Sequence, residues 1–150
     1  QSEGLSRQRL QETLLDSLIE KNEFDIPDSM VETFLDNAIE SYKQEHAGHD
    51  HPIDEDAIRE EGRDGAVRSV KRFLLLETIA KTENIQVEEA DIDKHLESLS
   101  ERHQIEGPRL RQILGRSGQL ERIESDLQTE KTFDYLIEQA RIEDVEEVEE

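Results

Sequence analysis

Apolar residues recur along the chain at spacings of three and four, which is the period of an amphipathic α-helix. Strand-like alternation never lasts more than a few residues. The clearest helical segment covers about residues 27–45, where apolar side chains stand at i, i+3, i+4, i+7, i+8 and i+11. These positions are Val31, Phe34, Leu35, Ala38, Ile39 and Tyr42. The pattern predicts an all-α fold.

Five other segments show the same periodicity. They are about residues 6–21, 54–82, 88–103, a short stretch holding Leu110, Ile113 and Leu114, and residues 119–141. Gly62 and Gly65 fall inside the third helical segment, and each costs about 1 kcal/mol relative to alanine, so an interruption there stays open. Unbroken, that segment would span about 43 Å and would have to project from a small domain. The acidic end, residues 143–150, is expected to fray.

A similarity within the chain relates two helix–link–helix stretches. LLDSLIEKNEFDIPD, residues 14–28, aligns with LLETIAKTENIQVEE, residues 75–89, at an offset of 61. Two interpretations stay open, an internal repeat and the independent use of the same local chemistry. Under both, we expect the apolar residues of the two links to fix each link against a helical core. They are Phe24 with Ile26 and Ile85 with Val87.

The composition limits the partners of the chain. Its 150 residues suffice for about one domain, and with 33% hydrophobic and 4% aromatic residues the core must be lean and aliphatic. The net charge of -21 would repel phosphate backbones and anionic lipids, so we expect no direct nucleic-acid partner and no membrane partner. Such an acidic surface also suits a high-salt cytoplasm, and the habitat stays open.

The absence of cysteine excludes disulfide scaffolds, thiolate metal sites and thiol nucleophiles. The longest apolar run is residues 73–76, far shorter than the roughly 20 residues that a membrane-spanning helix needs. No basic-then-apolar leader opens the chain. These features predict a soluble, cytoplasmic protein, and the start at Gln1 suggests a fragment of a longer one.

A histidine-rich loop is the candidate metal site. His46, His49 and His51 lie within six residues, close to Asp50 and Asp54, and such ligands can hold zinc, nickel or copper. A glycine-containing loop lacks the hydrogen-bond partners that hold metal-ligand side chains in a fixed orientation. We therefore favour a polar surface loop and expect no cofactor. A metal-binding helical protein remains the alternative function.

The sequence contains no motif that indicates catalysis. No histidine has a glutamate three residues before it, which excludes the di-iron signature of helical bundles. Neither GxGxxG nor a Walker motif is present, and GRSG at residues 115–118 resembles neither a nucleophile elbow nor a phosphate loop. We therefore predict no catalytic residue and no enzyme activity for this chain.

Three stretches, in order, carry a resemblance to a known family. The first covers residues 10–34 and contains NEFDIPDSMV, the second is VKRFLLLETIAKTENIQV at residues 70–87, and the third is TFDYLIEQARI at residues 132–142. They resemble the C-terminal chaperone domain of trigger factor, a ribosome-associated bacterial folding factor. The resemblance covers residues 1–150 almost throughout. The helical domain of SurA-like periplasmic chaperones is a more distant resemblance and a rival interpretation, which lacks the support of an export leader.

The resemblance implies an elongated helical domain with arm-like protrusions that cradle unfolded or nascent polypeptide without ATP. The loop at residues 46–52 would then lie at an arm tip. Full-length members of the family also carry an N-terminal ribosome-docking domain and an FKBP-like prolyl isomerase domain. Ribosome contact and isomerase activity would therefore belong to a parent protein and not to this chain. A homodimer stays open.

Apolar positions on the helical stripes near the proposed arms are the candidate contacts to a client polypeptide. They are Phe34, Leu35, Tyr42, Phe73, Leu110, Ile113, Leu114 and Leu120. Since the chain is strongly acidic, we expect it to prefer basic clients over acidic ones. Without a nucleotide, release would depend on modest affinity and on folding of the client.

Overall fold

The computed structural model describes residues 2–48 and 51–149. These residues form six α-helices and no strand, so the all-α prediction is confirmed. The helices are α1 (Ser2–Lys21), α2 (Asp28–Glu45), α3 (Glu55–Thr82), α4 (Glu89–His103), α5 (Gly107–Arg116) and α6 (Gln119–Glu149). None of the helices in the described ranges combines the length and the apolar character needed to cross a membrane. The elongated outline and the arm-like protrusions stay predictions.

Three helices are longer or more regular than the periodicity indicates. α1 begins at Ser2 and not near residue 6, and α6 continues to Glu149 and not only to residue 141. α3 runs through Gly62 and Gly65 without a break, because the side chains of the following turns are buried and offset the cost of the glycines. The fraying of residues 143–150 stays a prediction, and Glu150 lies outside the described residues.

Local features of the sequence fix where three of the helices begin. Pro27 has φ -65° and ψ 130° directly before α2, a conformation that its ring favours. Asp54 caps α3, since its Oδ1 accepts the N–H of Ala57 at 3.1 Å. At the start of α4, the N–H of Glu88 donates to Oδ2 of Asp91 at 2.8 Å. Local sequence therefore determines these three starts.

The chain divides into two compact units. Unit 2 holds the described residues of Leu15–Leu75. Its core packs side chains of α2 against side chains of α3, and the buried members are Val31, Leu35, Ala66 and Val70. Ion pairs flank this core: Arg59 pairs with Glu32 at 2.8 Å and with Asp36, and Arg63 pairs with Glu32 at 2.5 Å.

Unit 1 holds the described residues of Gln1–Leu14 and Leu76–Glu150. Helices α4, α5 and α6 pack together in it. The buried members of their shared core are Ile92, Leu96, Leu110 and Leu114. Arg111 joins α5 to α4 through Glu89 and, at 2.8 Å, Asp93. The start of α1 belongs to the same unit, since Arg7 pairs with Glu130 at 3.6 Å and with Asp134 on α6.

Candidate functional site

The apolar face of α2 is wider than the part of it that is buried. Its six apolar residues lie in two neighbouring lines, each with four-residue steps. The line of Val31, Leu35 and Ile39 is buried. The neighbouring line, Phe34, Ala38 and Tyr42, is exposed, with 44% of Phe34 and 41% of Tyr42 accessible to solvent. We call this exposed line the α2 stripe.

The α2 stripe ends at a groove between the end of α2 and the start of α3. The Tyr42 ring stacks on the His46 ring, with the ring centroids 4.0 Å apart and the planes 20° apart. The groove beyond this pair has a volume of about 430 Å³. Its lining residues are Tyr42, His46, His51, Pro52, Ile53, Asp54, Ala57, Ile58 and Glu61. We call it the α2–α3 groove, and it extends the apolar surface of the stripe.

The position of His46 bears on the metal hypothesis. Its Nδ1 lies 2.9 Å from the carbonyl oxygen of Tyr42, and since a carbonyl only accepts, Nδ1 carries the proton and donates. His51 lines the α2–α3 groove, whereas His49 and Asp50 lie outside the described residues. Within residues 2–48 and 51–149, no group of three histidine or acidic side chains is arranged to hold a metal ion.

Charged side chains bridge the two helices around the groove. Lys43 on α2 pairs with Glu55 on α3 at 2.5 Å, and this hydrogen bond raises the pKa of Lys43. The hydrogen bond from Arg59 to Asp36 likewise raises the pKa of Arg59. Glu61 lines the groove itself and makes no ion pair with any residue that the structure describes. The groove therefore combines apolar walls with an accessible negative charge.

The eight sequence candidates for client contact fall into three environments. Four are exposed: Phe34, Tyr42, Phe73 and Ile113. Three are buried in the cores of their units: Leu35, Leu110 and Leu114. Leu120 is half-buried against the core of unit 1. Periodicity identifies an apolar face but not how much of it a neighbouring helix covers, and only the exposed residues are accessible to a partner.

The sequence candidates for client contact leave out part of this surface. Ala38 lies between Phe34 and Tyr42 on the exposed line, and Ile53 with Ile58 forms the α3 side of the groove. The apolar character of Ile53 and Ile58, soon after the polar loop, was a usable signal. An exposed loop tip alone gives no reason for two isoleucines there.

The comparisons with known proteins are consistent with one another. A family model described as the C-terminus of bacterial trigger factor matches residues 1–138. Trigger factor of Bacillus pumilus is 31% identical over 139 residues, which are 87% of this chain and 32% of the relative. Trigger factor of Koribacter versatilis is 33% identical over 129 residues, which are 82% of this chain and 30% of the relative. The chain thus spans about a third of the length of these curated relatives.

A solved structure gives the same result for the fold. Trigger factor from Thermotoga maritima superposes with a TM-score of 0.66 at 24% sequence identity. The match covers 88% of this chain and 81% of that one. The two chains share a fold.

Proposed function

Because this chain belongs to the family of bacterial trigger factor C-terminal domains, we propose that it is an ATP-independent chaperone domain that holds unfolded or nascent polypeptide. The observation that supports this proposal most strongly is the α2 stripe together with the α2–α3 groove, an exposed apolar surface on a helix whose neighbouring apolar line is buried. Phe73 on α3 and Ile113 on α5 add exposed apolar side chains.

The size of this surface suits weak and repeated binding. Phe34 and Tyr42 are eight residues apart, or roughly 12 Å along the helix, which corresponds to about four residues of an extended client. A client would bury parts of two aromatic rings there. This burial would stabilise the complex by about 25 cal/mol per Å² of apolar area removed from water. The cost of immobilising the client offsets much of this gain. Modest affinity permits release without a nucleotide.

Holding a client requires no bond to form or break, so the proposal assigns no catalytic residue and no cofactor to this chain. Within the proposal, ribosome docking and prolyl isomerase activity belong to other parts of a longer parent protein that acts in the cytoplasm. The clients are then nascent chains that expose apolar segments before they fold.

The experiment is aggregation suppression by the 150-residue chain with a chemically unfolded client. Phe34→Ser with Tyr42→Ser should weaken the apparent affinity for the client by at least about tenfold, because two exposed aromatic contacts are lost. Both side chains are solvent-accessible, so circular dichroism should show an unchanged helix content.

The matched control combines Leu5→Ser with Ile142→Ser. These side chains are 59% and 44% exposed and lie on other helices than α2 and α3. The control should hold clients as the unmodified chain does. Equal losses in both double variants would refute the assignment of the holding surface to α2.

A further inference from the structure

One stretch of this acidic chain is basic. From Arg102 to Arg122 there are five arginines and only two glutamates, in a chain whose net charge is -21. Helix α5 lies in the middle of this stretch, and its sequence GPRLRQILGR contains three arginines and no carboxylate. The local charge of α5 is thus opposite to that of the chain as a whole.

The three arginines of α5 have different surroundings. Arg111 is directed to α4, where it binds Glu89 and Asp93. Arg109 and Arg116 are exposed, and neither makes an ion pair within the part of the chain that the structure describes. Two guanidinium groups therefore stay accessible to a partner.

An apolar side chain lies between these two arginines. Arg109, Ile113 and Arg116 are related by i, i+4 and i+7, so they share one side of α5 and span about 10 Å. Ile113 is 48% exposed, while Leu110 and Leu114 on the other side of the helix are buried. We call the three exposed residues the α5 face.

We propose that the α5 face binds client segments in which an apolar side chain is flanked by carboxylates. This inference rests on the proposed holding function and adds a second class of client to the basic segments that the net charge favours. Ile113 contacts the apolar side chain, and the planar guanidinium groups bind the carboxylates through paired hydrogen bonds. On an extended strand, the apolar side chain and both carboxylates share one face when the carboxylates stand two residues before and two residues after it. The carboxylates are then four residues apart, or roughly 13 Å, a span that the long arginine side chains can reach.

The chemistry of α5 favours a polypeptide over a nucleic acid. Single-stranded nucleic acid is bound by basic grooves that also supply aromatic side chains for base stacking, and α5 contains no aromatic residue. The exposed isoleucine offers an apolar contact that a phosphate backbone does not use. The net charge of -21 also opposes a long polyanion more strongly than it opposes a short segment with two carboxylates.

The test measures fluorescence anisotropy of three labelled peptides with one shared apolar centre, flanked by glutamate, by lysine or by serine. The 150-residue chain is compared with a variant that carries Arg109→Glu and Arg116→Glu. This variant should bind the glutamate-flanked peptide about tenfold more weakly, because two attractive contacts become repulsive. Its affinity for the serine-flanked peptide should not change.

A matched control carries Arg9→Glu and Arg141→Glu. Both arginines are exposed, and neither forms an ion pair with another described residue, so the control makes the same change in net charge elsewhere. It should bind the glutamate-flanked peptide within about twofold of the unmodified chain. Ile113→Ser should weaken binding of the glutamate-flanked peptide, whereas Ile142→Ser should leave its affinity unchanged.

Three outcomes would overturn the proposal, and they are distinguishable. In the first outcome, Arg109→Glu with Arg116→Glu leaves the affinity for the glutamate-flanked peptide unchanged, while binding of the serine-flanked peptide still depends on Phe34 and Tyr42. The proposal for the α5 face is then wrong and the holding function stands. If none of the three peptides binds, the holding function fails as well. If a short oligoribonucleotide displaces the glutamate-flanked peptide at lower concentration than the unlabelled peptide does, the α5 face is a phosphate site.

Discussion

Ile26 and Val87 lie 61 positions apart and occupy equivalent places in the two links of the chain. Each is half-buried, each stands two residues before the next helix begins, and each packs on the core of its own unit. In both links the residue two positions earlier is also half-buried, and the residue between is exposed. Extended backbone produces this alternation, since successive side chains point to opposite sides.

The same offset of 61 relates the helices on both sides of the links. α1 ends at Lys21 and α3 at Thr82, while α2 begins at Asp28 and α4 at Glu89. The first buried residues of α2 and α4, Val31 and Ile92, also correspond. The helix end, link and new helix therefore recur in the structure, and Ile26 and Val87 pack on the two cores as expected. That the apolar side chains fix the links stays a prediction.

Truncation of the link residues should destabilise the protein. Ile26→Ala and Val87→Ala should each lower the free energy of unfolding by about 1–2 kcal/mol, less than for a fully buried side chain because half of each remains in water. Urea unfolding followed by circular dichroism measures the change.

Asp25→Ala provides the control for Ile26→Ala, because Asp25 is the exposed neighbour on the opposite side of the same link. A surface substitution of this kind should change the free energy of unfolding by less than about 0.5 kcal/mol. Equal effects of Asp25→Ala and Ile26→Ala would mean that the link is not fixed by its apolar side chains.

Periodicity predicted the six helices because it depends only on which side of each helix is apolar. It could not predict that Leu35 is buried and Phe34 exposed, although both lie on the apolar face of α2. That difference depends on where α3 packs, a contact between residues far apart in sequence. The same reason applies to α5, where the sequence shows three arginines but only the structure shows that Arg111 is paired with α4.

The two glycines inside α3 should respond differently to alanine. A Cβ at Gly65 would meet no atom within 4 Å, so Gly65→Ala should raise the free energy of unfolding by about 0.5–1 kcal/mol through helix propensity alone. A Cβ at Gly62 would lie 3.3 Å from Cδ2 of Leu35, a tight contact in the core of unit 2. Gly62→Ala should therefore stabilise less than Gly65→Ala or destabilise. Thermal or urea unfolding of the two variants measures the difference. A Gly62→Ala variant that is more stable than Gly65→Ala would contradict the prediction.

Asp91 should make stability depend on pH. The hydrogen bond from Lys131, at 2.6 Å, and the N–H of Glu88 lower the pKa of Asp91. A carboxyl group whose pKa is lower in the folded state contributes stability above its unfolded pKa of about 3.9 and loses it as the pH falls through the folded value. Asp91→Asn should thus lower the urea midpoint at pH 7, and the difference from the unmodified chain should shrink below about pH 4.

Glu97→Gln is the control for this pH dependence, because Glu97 is an exposed carboxylate on the same helix. Its urea midpoint should follow that of the unmodified chain across the pH range. A constant difference between Asp91→Asn and the unmodified chain from pH 7 to pH 3 would show that the Lys131 contact does not stabilise the charged form.

Client charge should influence binding at the α2–α3 groove. Glu61 lines this groove beside apolar side chains, and the whole chain carries a net charge of -21. A client segment in which lysine or arginine comes directly after an apolar residue should therefore bind more tightly than a neutral segment. Glu61→Gln should reduce the preference for cationic segments about twofold, the size expected for one exposed charge pair. Glu60→Gln changes an exposed neighbour that does not line the groove and should leave the preference intact.

A peptide array probed at physiological salt and again at about 0.5 M salt measures both effects. The preference for cationic segments should weaken at the higher salt concentration because the screening length shortens. An array that shows no charge preference at physiological salt, or a preference that salt does not alter, would refute an electrostatic contribution from this groove.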